Sequence, residues 1–298
     1  MSITLIPRYI VSVLACVVSA WFSAGYAFTP DTYVSESALS SGRWQKISVS
    51  STGIHFIPAA TLRSWGFSSP YKVKVHGYGG KMLPDHLSSD NYIDDLPLLQ
   101  VHATAEGVYF YAEGVETWTL VNNKHKRYTH TLNPYSTAGY YYVTENDAPQ
   151  RDIPLAGRPE ISDNPARTFT CRLYHEYDKV TLSKSGAMLF GEDFRYNRSH
   201  TFNFELPDKV SDNVWAQTSF VTDQTGKGSL SFSVNGSQMS RKVNVASTSS
   251  KYYHGSRVVD SCAFPVAGER LAYGISYTPS GVLNAAHLDA IDINYERS

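Results

Sequence analysis

Two of the three cysteines of this chain, Cys171 and Cys262, sit in strand-like runs, Phe169 to Tyr174 and Val258 to Val266. Each has a histidine nearby in sequence, His175 and His254, and a thiol beside an imidazole is the pair from which a cysteine nucleophile is built. The spacing argues against it. Four residues along one strand put Cys171 and His175 on one face but roughly 13 Å apart. No oxyanion-hole motif accompanies either cysteine, and there is no Gly-x-Ser-x-Gly elbow. Glu192-Asp193 supplies two carboxylates, but neighbours in a strand point to opposite faces and cannot flank one bond. His125 and His130 are five apart, a spacing that suits neither a helix face nor a strand face, and Lys124, Lys126 and Arg127 beside them disfavour a metal cation. Asp94-Asp95, with Asp85 and Asp90, offers hard oxygens for calcium without the spacing of an EF-hand, so a solvated loop is the default. The run Gly77-Tyr78-Gly79-Gly80 cradles a phosphate only if a helix follows; Pro84 interrupts, and a tight β-turn is expected instead. Trp44, Tyr109, Tyr111, Trp118, Tyr140 and Tyr142 either stack on sugar rings or form the core face of a sheet. The expectation is no catalytic residue, no cofactor and no metal.

The elements that carry these residues read as strands. The 21 tyrosines and 13 phenylalanines, with 18% charged residues, suit pleated, half-buried surfaces. In the first half, strand patterns fall on Gly42 to Ser50, Ile54 to Ile57, Tyr71 to His76, Val101 to Ala103, Gly107 to Ala112, Thr117 to Val121 and Tyr140 to Thr144. Pro58 to Trp65, closed by Gly66, is the one short helix expected. Asn133 to Ser136 is the turn assigned between the last two strands. Residues 145–168 are rich in Pro, Asp, Asn and Arg and read as a connection. From Arg167 onward short strands recur, with Asn235-Gly236 as a hairpin turn. The fold class is therefore all-β: a small strand-rich N-terminal domain (28–150), a linker (151–166), and a jelly-roll-like β-sandwich (167–298).

Residues 1–27 read as a secretory signal peptide, with Arg8, an apolar run from Tyr9 to Phe22, and small residues at Gly25 and Ala27 before the expected cleavage site. Its removal takes the formal charge from −1 to −2, so no basic excess recommends a nucleic-acid partner. Export exposes the mature cysteines to oxidising conditions, and Cys171 and Cys262 become a candidate disulfide closing a loop of roughly 90 residues, worth about 4 kcal/mol in the chain-entropy model. Two buried free thiols are the competing reading.

Specific strings add a family resemblance. Ser40-Ser41-Gly42-Arg43-Trp44-Gln45-Lys46-Ile47, Trp65-Gly66-Phe67, Val73-Lys74-Val75-His76-Gly77-Tyr78-Gly79-Gly80 and Thr129-His130-Thr131-Leu132-Asn133-Pro134-Tyr135 stand in order in the first half. Tyr174-His175-Glu176, Phe190-Gly191-Glu192-Asp193-Phe194, Tyr277-Thr278-Pro279-Ser280-Gly281 and Leu288 to Tyr295 follow in the second. Together they resemble the N-terminal, non-catalytic region of the PorU-type sortases of the type IX secretion system, relatives of the gingipain cysteine peptidases (the C25 type). The resemblance implies a caspase-like peptidase domain with His-Gly and Asn-Ala-Cys motifs, cleavage of cargo C-terminal signals, and attachment of cargo to lipopolysaccharide. This sequence has His76-Gly77 and His254-Gly255 but no Asn-Ala-Cys, so no catalytic residue is carried over. The resemblance implies an accessory or scaffold region lacking the peptidase, placed at the cell surface, the outer membrane or the periplasm. Its partners would be a C25-type peptidase domain in cis or trans, outer-membrane secretion components, and cargo proteins or surface glycan. The alternative is a stand-alone exported β-sandwich that binds glycan or a protein partner; a degenerate gene fragment is the third reading.

Overall fold

A computed structural model describes residues 33–84, 86–88, 91–154, 165–182, 188–249, 254–282 and 284–298. The expected signal peptide and most of the expected linker lie outside these residues. The chain divides into two compact units, one formed by residues up to Gly42 together with Pro84–Pro97, the other by Arg43–Leu83 and Leu98–Ser298. In the first, a 3-10 turn (Ala38–Ser40) is capped by Ser37. Asp95 there accepts from the Ser37 hydroxyl (2.9 Å) and from the Ala38 amide, and Asp94 accepts from the Tyr92 hydroxyl (2.7 Å) and the Val34 amide. The carboxylates read from sequence as calcium candidates thus bind the local backbone; Asp85 and Asp90 lie outside the described residues.

The second unit holds two hydrophobic cores. Around the first, strands β1 (Trp44–Val49), β8 (Gly139–Glu145) and β3 (Val73–Gly79) form one antiparallel sheet in the order β1-β8-β3. Strands β2 (Gly53–Pro58), β5 (Gly107–Ala112) and β4 (Val101–Thr104) form another. The helix α1 (Ala59–Ser64) begins just after Pro58 and buries Leu62. Val73, Val75, Val108, Phe110, Tyr141 and Val143 fill this core. Their alternation with outward residues fixes the register, because a slip of one residue would turn the apolar set to water.

Tyr71 belongs to a short 3-10 turn (Pro70–Lys72) and is exposed; β3 begins only at Val73. The glycines 77–80 do not make a tight turn: β3 runs on through Gly79, with a register shift against β8 between Gly77 and Gly79. The reason is packing. A Cβ on Gly77 would lie 2.4 Å from the Tyr141 ring, and Gly79 takes φ 87°, a left-handed conformation that favours glycine.

The second core lies between two four-stranded antiparallel sheets. One has the order β14 (Gly255–Pro265), β11 (Asn213–Asp223), β16 (Ala286–Arg297), β9 (Phe169–Glu176). The other has β10 (Ser199–Glu205), β15 (Arg270–Pro279), β12 (Gly228–Val234), β13 (Ser237–Val245). Counted from β9 as strand one, the orders are 1-8-3-6 and 2-7-4-5, the arrangement of a jelly roll. Phe220, Phe232, Leu230, Tyr273, Ile275, Ile291 and Ile293 are buried between the sheets. Asn235 and Gly236, with φ 49° and 82°, turn β12 into β13. The fold class is all-β, as the aromatic and β-branched alternation indicated.

A hairpin completes the unit: β6 (Glu116–Asn122) and β7 (Arg127–Leu132) pair only with each other. Sequence reading placed β6 but missed β7, whose pattern Arg-Tyr-Thr-His-Thr-Leu has no apolar alternation to announce a strand.

Candidate functional site

Strand β16, like its neighbour β11, is buried on both faces. Ile291, Ile293 and Tyr295 point into the sandwich core, which leaves Asp292 and Asn294 on the outer face, where alternation would ordinarily place them in water. They are nevertheless only 4% and 3% exposed, because the β6–β7 hairpin lies over them.

Side chains take the place of a backbone ladder at this contact. The Asn294 carboxamide accepts from the Tyr128 amide at 2.6 Å and donates to the Tyr128 carbonyl at 2.9 Å, as a paired strand residue would. Two residues back, Asp292 Oδ1 accepts from the His130 amide at 2.9 Å and from His130 Nδ1 at 2.6 Å. The period of two on both strands brings the pairs into step. Arg172 on β9 lies over Trp118 (5.3 Å) and Tyr128 (4.9 Å), and Arg127 lies over Trp215 (5.5 Å), so cations cover aromatic faces on both sides of the seam.

His130 sits at the centre. Its ring is fully enclosed, stacked on Tyr174 at 4.1 Å, with Nε2 2.7 Å from Glu176 Oε2. Burial alone would push the imidazole toward the neutral form; the hydrogen bond to Asp292 and the adjacent Glu176 carboxylate outweigh it and hold the pKa at about 9. At neutral pH the ring is therefore an imidazolium between two carboxylates. Asp178, near Glu176, is pushed up to about 6 by burial and by the charges of Glu176 and Asp289. Beside them, Asp289 accepts from Ser219 Oγ (2.6 Å) and Arg257 (2.7 Å), while Arg257 Nε also donates to Ser219 Oγ (2.8 Å). These groups border a cleft of about 400 Å³, walled on its apolar side by Met82, Leu132, Pro134 and Met188.

Chemically, the cluster holds two surfaces together. A protonated His130 has no lone pair to act as a base. Ser219 gives its proton to a carboxylate and accepts from a guanidinium, so its oxygen is not activated by an imidazole. Opposite charges face one another across the contact, His130 with Asp292 and Glu176 and Arg257 with Asp289, which suits a latch.

The other residues read from sequence stand apart. Cys171 and Cys262 are free thiols. They lie on β9 and β14, the opposite edges of one sheet with β11 and β16 between them, so strand spacing alone separates them by roughly 14 Å, beyond the ~7 Å a disulfide tolerates. The candidate disulfide is thus not formed; burial raises the Cys262 thiol pKa, as for a small core hydrophobe. His254 stands eight residues from Cys262, just before β14, and Cys171 and His175 are four apart on β9, so neither thiol has its imidazole. Glu192 engages His175 Nε2 at 2.8 Å, and Asp193 engages Arg195. His125, exposed on the hairpin turn, is not brought to His130; among the described residues, no group of three or more His, Cys, Asp or Glu is arranged to hold a metal ion. Tyr109 stacks on Phe56 (4.4 Å), and Trp44 packs edge-on to His76. The latch was missed because His130 and Asp292 are 162 residues apart. The only trace in sequence is the alternation Asp292-Ile293-Asn294, which reads equally as a solvated face.

A jelly-roll sandwich latched to a strand-rich core is the class of protein these features define. No family model and no curated protein matches the sequence. Among solved structures, the crystal structure of dimeric latent PorU from Porphyromonas gingivalis is similar to it with a TM-score of 0.73 and 28% identity, over 88% of this chain and 25% of that one. The likeness in fold covers most of this chain, which spans about a quarter of that protein's length. A family 35 carbohydrate-binding module from Clostridium thermocellum (TM-score 0.28, 8% identity, 43% of this chain and 98% of that one) is too distant to bear on function. So is a family 86 β-porphyranase from Bacteroides plebeius (0.27, 9%, 85% and 34%). No helix among the described residues is long and apolar enough to cross a membrane.

Proposed function

We propose that this chain is the accessory, non-catalytic region of a PorU-like type IX secretion sortase, in which two all-β domains act as a scaffold for a C25-type peptidase domain at the cell surface. The observation that carries the reading is the PorU likeness over 88% of the chain at 28% identity, against only a quarter of the PorU chain. The latch supports it. A scaffold must hold its parts in fixed relation, and Asn294, Asp292 and His130 fasten the hairpin of one core region to the jelly roll of the other. Cleavage of cargo signals and surface attachment belong, on this reading, to the assembled protein. Outer-membrane secretion components and cargo are its further partners.

The test is size-exclusion chromatography of the purified chain with a PorU-type peptidase domain. Co-elution at 1:1, weakened when the latch is broken by Asp292→Ala with Asn294→Ala, is expected. Separate elution at tens of micromolar would contradict the reading.

A further inference from the structure

The turn of the hairpin and the end of the jelly-roll sheet enclose a second cleft, of about 390 Å³, which borders the latch at Asn294 and opens away from His130. Lys124, Lys126 and Arg127 enter it from the turn. None of the three has a carboxylate within ion-pair distance among the described residues. The turn is set in place: Asn122 Oδ1 accepts from the His125 amide at 3.0 Å, Lys126 takes φ 48°, and its Nζ donates to Asn123 Oδ1 at 2.6 Å. The floor is Trp215, under the Arg127 guanidinium. Thr170, Ser211 and Asn213 add neutral hydrogen-bonding groups. The one acidic residue lining the cleft, Glu296, has Oε1 occupied by the Thr168 hydroxyl at 2.6 Å.

We propose that this cleft is a docking site for an acidic, extended peptide segment of a protein partner. Three cations against the single carboxylate of Glu296, none of them ion-paired with it, leave the cleft with a positive excess in a chain whose formal charge is −1, and that excess attracts carboxylates. The pocket is too small to track a nucleic-acid backbone, which needs a basic stripe. A peptide is favoured over a free anion because one wall of the cleft is β9, an edge strand of its sheet. An edge strand carries backbone donors and acceptors that another extended chain can pair. Aspartates or glutamates of the incoming segment would meet Lys124, Lys126 and Arg127 while its backbone runs along the Phe169–Thr170 end of β9. The biological partner rests on the scaffold reading above; the site itself does not.

Calorimetric titration of the full chain with a blocked octapeptide of alternating aspartate and serine tests it. Binding in 20 mM salt is expected to weaken at least tenfold in Lys124→Glu/Lys126→Glu/Arg127→Glu and at least tenfold in 200 mM salt. Lys124→Gln/Lys126→Gln, which changes only exposed side chains, should weaken it several-fold without altering the melting temperature. The remote control Arg63→Glu/Lys227→Glu/Lys242→Glu should bind within twofold of the parent. Equal loss in the remote control, or no peptide binding in 20 mM salt, overturns the proposal. So does a cleft that binds inorganic phosphate or phosphatidylglycerol vesicles while ignoring the peptide. If the peptide fails but the peptidase domain still co-elutes, only this inference falls; the reverse result removes the scaffold reading and leaves the cleft.

Discussion

At the scale of single residues, His130 carries the most consequence. Its pKa in the folded chain, about 9, lies above the unfolded value of 6.5. The stabilisation is therefore complete below about pH 6.5 and is lost as pH rises through about 9; linkage over that interval gives on the order of 3 kcal/mol. The melting temperature should fall between pH 7.5 and 10 in the parent and change much less in His130→Gln, and the imidazole carbon resonances should titrate near 9. Asp178 behaves in the opposite sense to an ordinary surface carboxylate. Its folded pKa of about 6 exceeds the usual carboxylate value, so its ionised form costs stability above pH 6 and the cost fades as pH falls toward 4. Asp178→Asn should be neutral or stabilising at pH 7, with no gain at pH 4.5, as chemical denaturation at the two pH values can show. Neither behaviour was legible in the sequence. His130 stood beside a basic run that pointed away from metal binding, and the carboxylates that give the ring its charge come from Glu176 and Asp292, strands away. The free state of Cys171 and Cys262 was equally hidden, because distance across a sheet depends on strand order and not on spacing along the chain.

At the scale of elements, alternation did most of the work that sequence could do. Val73 and Val75, Phe202 and Phe204, and Ile291 and Ile293 each announce a strand and its inward face, and Asn235-Gly236 announces its hairpin. What failed was β7, whose Arg127, Tyr128 and His130 pack through cation–π and ring contacts and through hydrogen bonds to Asp292 and Asn294, and so show no apolar alternation. The β3 bulge failed too, because four glycines in a row read as a turn until the Tyr141 ring is seen against Gly77. The latch makes β6–β7 a separable element. Asn294→Ala removes two hydrogen bonds and leaves the Tyr128 amide and carbonyl without those partners, at a cost of about 2–3 kcal/mol. Hydrogen exchange should speed up across residues 116–132 and remain slow in β11 and β15. Uniform acceleration of the whole sandwich would mean that the hairpin is part of the core and no latch at all. By contrast, Phe220→Ala, in the centre of the jelly roll, should cost about 3–5 kcal/mol and loosen every strand of the sandwich together.

At the scale of the whole molecule, fold class and resemblance were the legible parts. Tyrosine-rich alternation gave an all-β chain, and ordered short strings gave the PorU likeness that the structural comparison supports over 88% of its length. The docking surfaces were less visible, since each is assembled from strands far apart in sequence: the latch from β7, β9 and β16, the basic cleft from the hairpin turn and the ends of β9, β11 and β16. A scaffold whose parts are latched should present one fixed surface to a peptidase domain. The most direct measurement is therefore co-elution of the purified chain with a PorU-type peptidase domain, by size-exclusion chromatography with light scattering. The scaffold account predicts a 1:1 complex that Asp292→Ala/Asn294→Ala weakens. Two separate peaks at tens of micromolar, with the chain folded, would contradict it.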